Sequence, residues 1–304
     1  MPAPAGRRPD PPVNEEAPLT DVSGLRLPDQ FAQRARDIEE GRAEPAAPRD
    51  ASTVVLLRDA PSGGIEVYML RRVSSMPFAP GAYVFPGGSV DARDGDRTVG
   101  WAGPSPEEWG AAFGAGETLA RELVCAAVRE TFEESGVLLA GPTADLIAGD
   151  ISGDDWEADR QALLDRSLSL AALLDKRGLV LRGDLLRPWA HWITPVIEER
   201  RYDTRFFVAA LPAGQRTRDV STESDRVTWV RPQEAVEAAR RGEMALLPPT
   251  MVTLTELTAY DSVAAVLAAE RDVRPRLPET RVTGDGVYLV LPPELDGHVP
   301  GARP

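Results

Sequence analysis

Apolar and β-branched residues first recur at Ser52-Thr53-Val54-Val55-Leu56-Leu57, turn at Pro61-Ser62-Gly63-Gly64, and return from Ile65 to Leu70. That pattern predicts strand, turn and strand. A further strand-like piece, Ala82 to Phe85, ends at Pro86-Gly87-Gly88, where missing side chains let a backbone approach a ligand closely. From Thr118 to Ser135 there is no Gly or Pro, and Leu119, Leu123, Ala126, Ala127 and Phe132 form an apolar stripe at helical spacing. Gly136 supplies the stop. A second helical stretch is expected over residues 144–177, with Leu163, Leu164, Leu168, Leu170, Leu173 and Leu174 as its packing face. Strands are expected over residues 190–197, 205–211 and 226–230, a helix from Gln233 to Arg240, and a helical region after Pro249 to about Arg271. One more strand is expected over residues 286–291. The order of elements reads as mixed α/β.

Residues 1–50 are rich in Pro, Ala, Arg and Glu, with only Leu25 to Ile38 able to form a helix, so a mostly disordered N-terminal tail is expected. Residues 51–250 form the expected domain, with insertions at about 91–116 and 144–187, followed by a C-terminal helix and tail over 251–304. The first insertion is polar and glycine-rich but carries Trp101, Trp109 and Phe113 as anchors. No internal repeat is found.

Composition narrows the classes. At 304 residues, 42% apolar and 27% charged, the chain can bury a substantial core. No stretch reaches the roughly 18 to 20 apolar residues of a membrane helix, and the N-terminus has no signal-peptide core, so a cytoplasmic location is expected. The single cysteine, Cys125, lies in the apolar helical stretch and reads as a buried structural thiol. The net charge of −14 disfavours nucleic acid and anionic membrane as partners. A polyanionic small molecule then needs a local basic pocket, a divalent cation, or both.

The segment Arg129-Glu130-Thr131-Phe132-Glu133-Glu134-Ser135-Gly136-Val137 carries the candidate chemistry. Glu130, Glu133 and Glu134 stand at i, i+3 and i+4, so their carboxylates share one helix face. A solvated acidic face is the bland alternative. The adjoining Gly136, the preceding Arg129 and the upstream glycine pair favour a cation site instead. Mg²⁺ or Mn²⁺ takes oxygen ligands and is commonly completed by phosphate oxygens. There it polarises the phosphoryl group and activates water, while a carboxylate not committed to metal accepts the proton. Arg129 is expected to pair with a neighbouring Glu and fix its rotamer.

Arg-Glu-x-x-Glu-Glu-x-Gly, followed by an apolar residue, resembles the second half of the Nudix box, and Gly87 and Gly88 resemble its start. Here a long insertion splits the two halves. The resemblance implies a Nudix-type α/β/α sandwich with a mixed sheet, a helical insertion and flexible termini. It also implies Glu133 and Glu134 as metal ligands, with Glu130 a third ligand or the general base. For the additional Glu that the family carries ahead of the helix, Glu117 and Glu122 remain equal candidates. Glu198, Glu199, Asp203 and Glu223 are alternatives for the base, since some members draw it from a distant loop.

Gly81-Ala82-Tyr83-Val84-Phe85-Pro86-Gly87-Gly88 resembles the element before the box in coenzyme A diphosphatases, with Arg71 and Arg72 as the upstream arginines. The long insertion, His191-Trp192-Ile193-Thr194-Pro195 and the run from Arg201 to Phe207 are similar to the acyl-CoA diphosphatase branch, peroxisomal in animals. The last residues here do not form a Ser-Lys-Leu address, so chemistry is carried over and location is not. The implied reaction gives 3',5'-adenosine bisphosphate and 4'-phosphopantetheine or its acyl form. Arg200, Arg201 and Arg205 then become candidates for phosphate recognition, and Trp189, Trp192, Tyr202 and Phe206 for stacking. His191 reads as a packed, hydrogen-bonded residue. The alternatives are hydrolysis of ADP-ribose, NADH or a nucleotide sugar, or a catalytically silent nucleotide-binding or interaction module. A homodimer is left open.

Overall fold

The computed structural model describes residues 24–76, 79–221, 223–295 and 298. The expected N-terminal tail lies outside the described residues as far as position 23. In chain order the elements are β1 (Leu25–Arg26), α1 (Gln30–Glu39), β2 (Arg49–Asp59), β3 (Ile65–Arg72), β4 (Tyr83–Val84), β5 (Gly87–Ser89) and β6 (Trp101–Ala102). They continue with α2 (Pro106–Phe113), α3 (Glu117–Ser135), β7 (Ala140–Gly141), α4 (Asp154–Leu164), α5 (Leu170–Arg177), β8 (Val180–Arg182) and β9 (Leu186–Ile193). The remainder is β10 (Tyr202–Ala210), β11 (Ser224–Val230), α6 (Pro232–Arg240), α7 (Pro248–Leu257), α8 (Val263–Leu267), β12 (Pro275–Arg276), β13 (Glu279–Thr283) and β14 (Gly286–Val290).

The main sheet runs β11-β3-β2-β10-β9-β12, and β10 lies parallel to β2 over nine residue pairs, Tyr202↔Arg49 to Ala210↔Leu57. β2 and β3 pair only near their turn, from Leu57↔Val67 to Asp59↔Ile65, and then diverge. Into that fork come β4, on β3, and β5, on β2. The fork places Gly87 and Gly88 between the two central strands.

Side chains alternate across the sheet and build two cores. Val54, Leu56, Tyr68, Leu70 and Phe207 pack against Leu123, Val124, Val128 and Phe132 of α3. Val55, Leu57, Val67, Met69 and Val208 pack on the opposite side against residues of α6, α7 and α8. This is the α/β/α sandwich expected from the sequence. Cys125 lies on α3 with its side chain buried, and burial pushes its thiol up to about 12.

The insertions belong to the body of the domain. Trp109 and Phe113 of α2 stack on each other and meet Phe207 edge-on, with ring centroids 5.9, 5.4 and 5.1 Å apart. β8, from the second insertion, pairs with both β6 and β7, so the two insertions hold each other. The second stretch is helical only from Asp154, because Gly149 and Gly153 precede it; Arg166 then separates α4 from α5 at φ +59°.

The strand expected over residues 286–291 is β14. It pairs with β13 and also with β1, Leu25↔Leu289, across almost the whole length of the chain. α1 covers these strands, with Ala35 buried against Ile197 and Val287.

Candidate functional site

α3 carries the acidic motif. Its body has no helix breaker, and it ends at Gly136 in the left-handed conformation, φ +71°, with the Gly136 N–H bonded to the Phe132 carbonyl. Arg129, Glu133 and Glu134 are buried, and Glu130 is nearly so. All four line a cleft of about 1680 Å³ that also takes in Gly87 and Gly88 from the fork in the sheet.

The glycines are required by contact. A Cβ on Gly87 would lie 2.5 Å from the Ser52 carbonyl oxygen, and one on Gly88 would lie 2.5 Å from a Glu130 carboxylate oxygen. The Gly87 N–H donates to Glu134 Oε2 at 2.8 Å. Close backbone approach here thus orients one carboxylate and leaves room for another.

Arg129 is held from two sides. Its Nε and Nη2 each donate to Asp94 at 2.9 Å, and Nη2 also donates to the Ser89 carbonyl at 3.0 Å. Nη1 donates to Glu130 Oε1 at 2.7 Å and reaches the Glu133 carboxylate at 3.4 Å. Asp94, in the first insertion, was not among the residues singled out from the sequence. It lies far from the motif in a polar loop, and the only local signal is the pair Asp91 and Asp94 at capping-box spacing.

Acid outweighs base at this point. Burial and the neighbouring Glu133 push Glu130 up to about 7, although Arg129 acts in the other direction. Burial raises Glu133, opposed by Arg129. Glu134 lies well above the usual carboxylate range because of burial and the negative charge of Glu130. A buried cluster with surplus negative charge is relieved by protons or by a cation. Among the described residues, no group of three His, Cys, Asp or Glu side chains is arranged to hold a metal ion. Two of the glutamates are engaged by Arg129, and the third by the Gly87 N–H. The donor set nevertheless fits a hard divalent cation in its chemistry, being all oxygen, anionic and open to a cleft.

Other predicted residues are scattered. Arg72 lines the cleft, and its charge lowers the Glu134 pKa. Arg71 faces outward and pairs with Asp225 at 2.6 Å. Arg201 is buried behind the cleft, donating to the Thr194 and Ala46 carbonyls at 3.0 and 2.8 Å. Arg205 is buried too, bonded to Asp203 and, at 3.3 Å, to Asp50, so it is committed to the interior rather than offered to a phosphate. His191 meets the same Asp203, in keeping with a packed, hydrogen-bonded residue. Glu122 stands seven residues before Arg129 on nearly the same helix face, roughly 10 Å away along the axis, beside Gly95. Glu117 opens the helix about 20 Å from Glu130. Neither Glu117 nor Glu122 lines the cleft, so the fold does not bring them to the three glutamates. Arg200, Trp192, Tyr202, Phe206, Glu198, Glu199 and Glu223 do line it, whereas Trp189 packs against Tyr260. Arg34, Arg49, Arg93 and Arg166, which the sequence did not mark out, add positive charge to the cleft wall.

Residues 111–257 match the model described as the NUDT19 Nudix domain. That span holds the acidic motif but begins after Asp94 and the glycine pair. Over 307 aligned residues the chain is 29% identical to a chicken protein named acyl-coenzyme A diphosphatase NUDT19, covering 80% of this chain and 78% of that one. The human protein of the same name is 28% identical over 280 residues, covering 77% and 73%. Among solved structures, a NUDIX hydrolase from Alicyclobacillus acidocaldarius superposes with a TM-score of 0.63 at 27% identity, over 74% of this chain and 97% of that one.

Proposed function

We propose that the chain is a Nudix-type hydrolase of diphosphate bonds whose substrate is coenzyme A or an acyl-coenzyme A, a reading supported by the matched domain model, the named relatives and the superposed hydrolase structure. Water cleaves the phosphate-phosphate bond and releases 3',5'-adenosine bisphosphate and 4'-phosphopantetheine or its acyl form. The observation that carries this reading is the cleft itself. It joins the three glutamates to arginines at positions 34, 49, 72, 93, 166 and 200, and to an apolar wall that includes Leu25, Leu27, Phe31 and Leu289. A substrate with several phosphates at one end and a long, weakly polar arm at the other suits such a lining. The names of the chicken and human relatives support the same choice.

In this reading Glu130, Glu133 and Glu134 hold Mg²⁺ or Mn²⁺, as the superfamily's general use of divalent metal suggests. When bound, the ion polarises a phosphoryl oxygen, activates water and offsets charge on the leaving phosphate. The chain's own groups do the rest. The Gly87 N–H keeps the Glu134 carboxylate facing the cleft, and Arg129 keeps Glu130 and Glu133 from swinging apart. With the three helix glutamates committed to the cation, a carboxylate from Glu198, Glu199 or Glu223, which line the same cleft, accepts the proton of the attacking water as the new P–O bond forms and the bond to the leaving phosphate breaks. The cleft arginines orient the substrate's phosphates.

The test is hydrolysis of CoA, acyl-CoA, ADP-ribose and NADH with and without Mg²⁺ or Mn²⁺, with products identified by mass. Metal-dependent release of the two CoA halves is expected, and Glu133→Gln should lower turnover by about a hundredfold or more. Cleavage confined to ADP-ribose or NADH would overturn the substrate. No metal-dependent turnover on any of the four would favour a silent binding module.

A further inference from the structure

We propose that a second, smaller pocket at the end of the cleft holds the 3'-phosphate of coenzyme A between Arg49 and Arg200, so that this phosphate, absent from ADP-ribose and NADH, selects the substrate. The inference rests on the coenzyme A reading and deepens it.

The pocket encloses about 430 Å³ and shares Arg49, Glu199, Arg200 and Tyr202 with the large cleft, so the two adjoin. Arg49, Arg200 and Arg201 line it against one carboxylate, that of Glu199. Arg201 is already engaged, donating to the Thr194 and Ala46 carbonyls and so tying the residue 46 wall of the pocket to the loop after β9. Arg49 and Arg200 are exposed, and among the described residues neither side chain has a hydrogen-bond or ion-pair partner. Other cleft arginines differ: Arg34 donates to the Ile197 carbonyl at 2.8 Å, and Arg93 and Arg166 pair with Asp91. Two unpaired guanidiniums on one pocket repel each other. A phosphomonoester relieves them with about −1.5 to −2 charges and three strong acceptor oxygens.

Strand register sets the distance from this pocket to the glutamates. Arg49, Ala51 and Thr53 alternate along β2, pair in parallel with Tyr202, Thr204 and Phe206 of β10, and all six line the cleft. At one end of the row Thr53 lies opposite Gly87, and at the other Arg49 and Tyr202 open into the small pocket. Ser52, opposite Gly88, stands three residues from Arg49, about 10 Å along the strand. Ala51 and Thr204 have small side chains and leave space between the two ends. A diphosphate held at the glutamates therefore lays the adenosine ribose across Ala51 and Thr204, with its 3'-phosphate toward Arg49 and Arg200.

The experiment compares CoA with 3'-dephospho-CoA on the full chain and on Arg49→Ala, Arg200→Ala and the double variant, all of which truncate exposed side chains. The parent should favour CoA about tenfold or more, through KM rather than kcat, because the missing phosphate removes contacts made equally before and during the reaction. Each single variant should shrink that preference, and the double variant should bring it close to parity. A general contact to the diphosphate would instead lower both substrates alike and leave their ratio where it was. Calorimetry with 3',5'-adenosine bisphosphate against 5'-AMP reads the pocket without turnover, and the same preference is expected there. Equal affinity of the parent for the two nucleotides, or a preference for CoA that survives in the double variant, would overturn the proposal. A parent that prefers the bisphosphate yet cleaves no CoA upholds the pocket and overturns the substrate.

Discussion

Two buried clusters in this molecule are assembled from the same parts and behave in opposite ways. At the cleft, Arg129 faces Asp94, Glu130 and Glu133, with Glu134 nearby. Under β10, Arg205 faces Asp203 and Asp50, and His191 shares Asp203. Burial raises the carboxylates in both. In the second cluster the hydrogen bond from His191 and the charge of Arg205 more than offset it, and Asp203 ends below the usual carboxylate range. In the first, one guanidinium serves too many acids, and Glu130, Glu133 and Glu134 end above it. Burial of charge therefore does not separate a functional site from a structural one. The imbalance of charge does, because only the unbalanced cluster has something to gain from a cation.

The sharpest way to break that contrast is Arg205→Gln. If the β10 cluster is purely structural, the substitution costs about 3–5 kcal/mol, the usual penalty for orphaning a buried ionic partner. Denaturant midpoints would show that loss, while Mn²⁺ affinity of the folded fraction stays at the parent value. A change in Mn²⁺ affinity instead would join the two clusters into one system.

A smaller effect comes from pH. The glutamates, with folded pKa values raised above their unfolded ones, bind more protons folded than unfolded, so their contribution is full below about 4.5 and is lost as pH rises toward about 7 for Glu130. Asp203, lowered on folding, contributes above its ordinary value of 3.8 and loses that contribution as pH falls through its folded value. Thermal melts without divalent ion should therefore fall between pH 4.5 and 7, and Mg²⁺ should restore most of the loss at the upper end. A flat profile that Mg²⁺ leaves unchanged would mean the acidic cluster is not strained.

The smallest effect is expected at Arg71. Its ion pair with Asp225 is exposed on both sides and should be worth less than about 1 kcal/mol. Arg71→Ala should leave stability and the KM for CoA within error, and a clear rise in KM would return Arg71 to the substrate path.

The same contrast explains what could be read in advance. Glu130, Glu133 and Glu134 were legible because a helix maps sequence spacing directly onto a face. The glycine pair was legible because only missing side chains allow such an approach. Glu117 and Glu122 were harder, since the helix begins at Glu117 and runs without interruption, and distance along its axis removes both from the site. Arg201 and Arg205 were misplaced for another reason. Which side of a strand faces a cleft depends on its neighbours, and β10 buries Arg205 beside Asp50 through its parallel pairing with β2. Asp94 showed only its capping-box spacing to Asp91, which does not name Arg129 as its partner, because a loop residue's long-range partner is set by the path of the chain around it. Likewise the pairing of β1 with β14 is a contact between remote segments that no local pattern announces.

That last pairing has a consequence for how the protein comes into being. A chain made from its N-terminus on the ribosome presents α1 and β1 early, yet β14, the partner of β1, follows it by 264 residues at the pair Leu25↔Leu289 (289 − 25). The glutamate helix can pack on β2 and β3 while translation continues, whereas the wall bearing Leu25, Phe31 and Leu289 has to wait for β13 and β14. The acidic centre is thus built from segments close in the chain, and its enclosing wall from segments far apart.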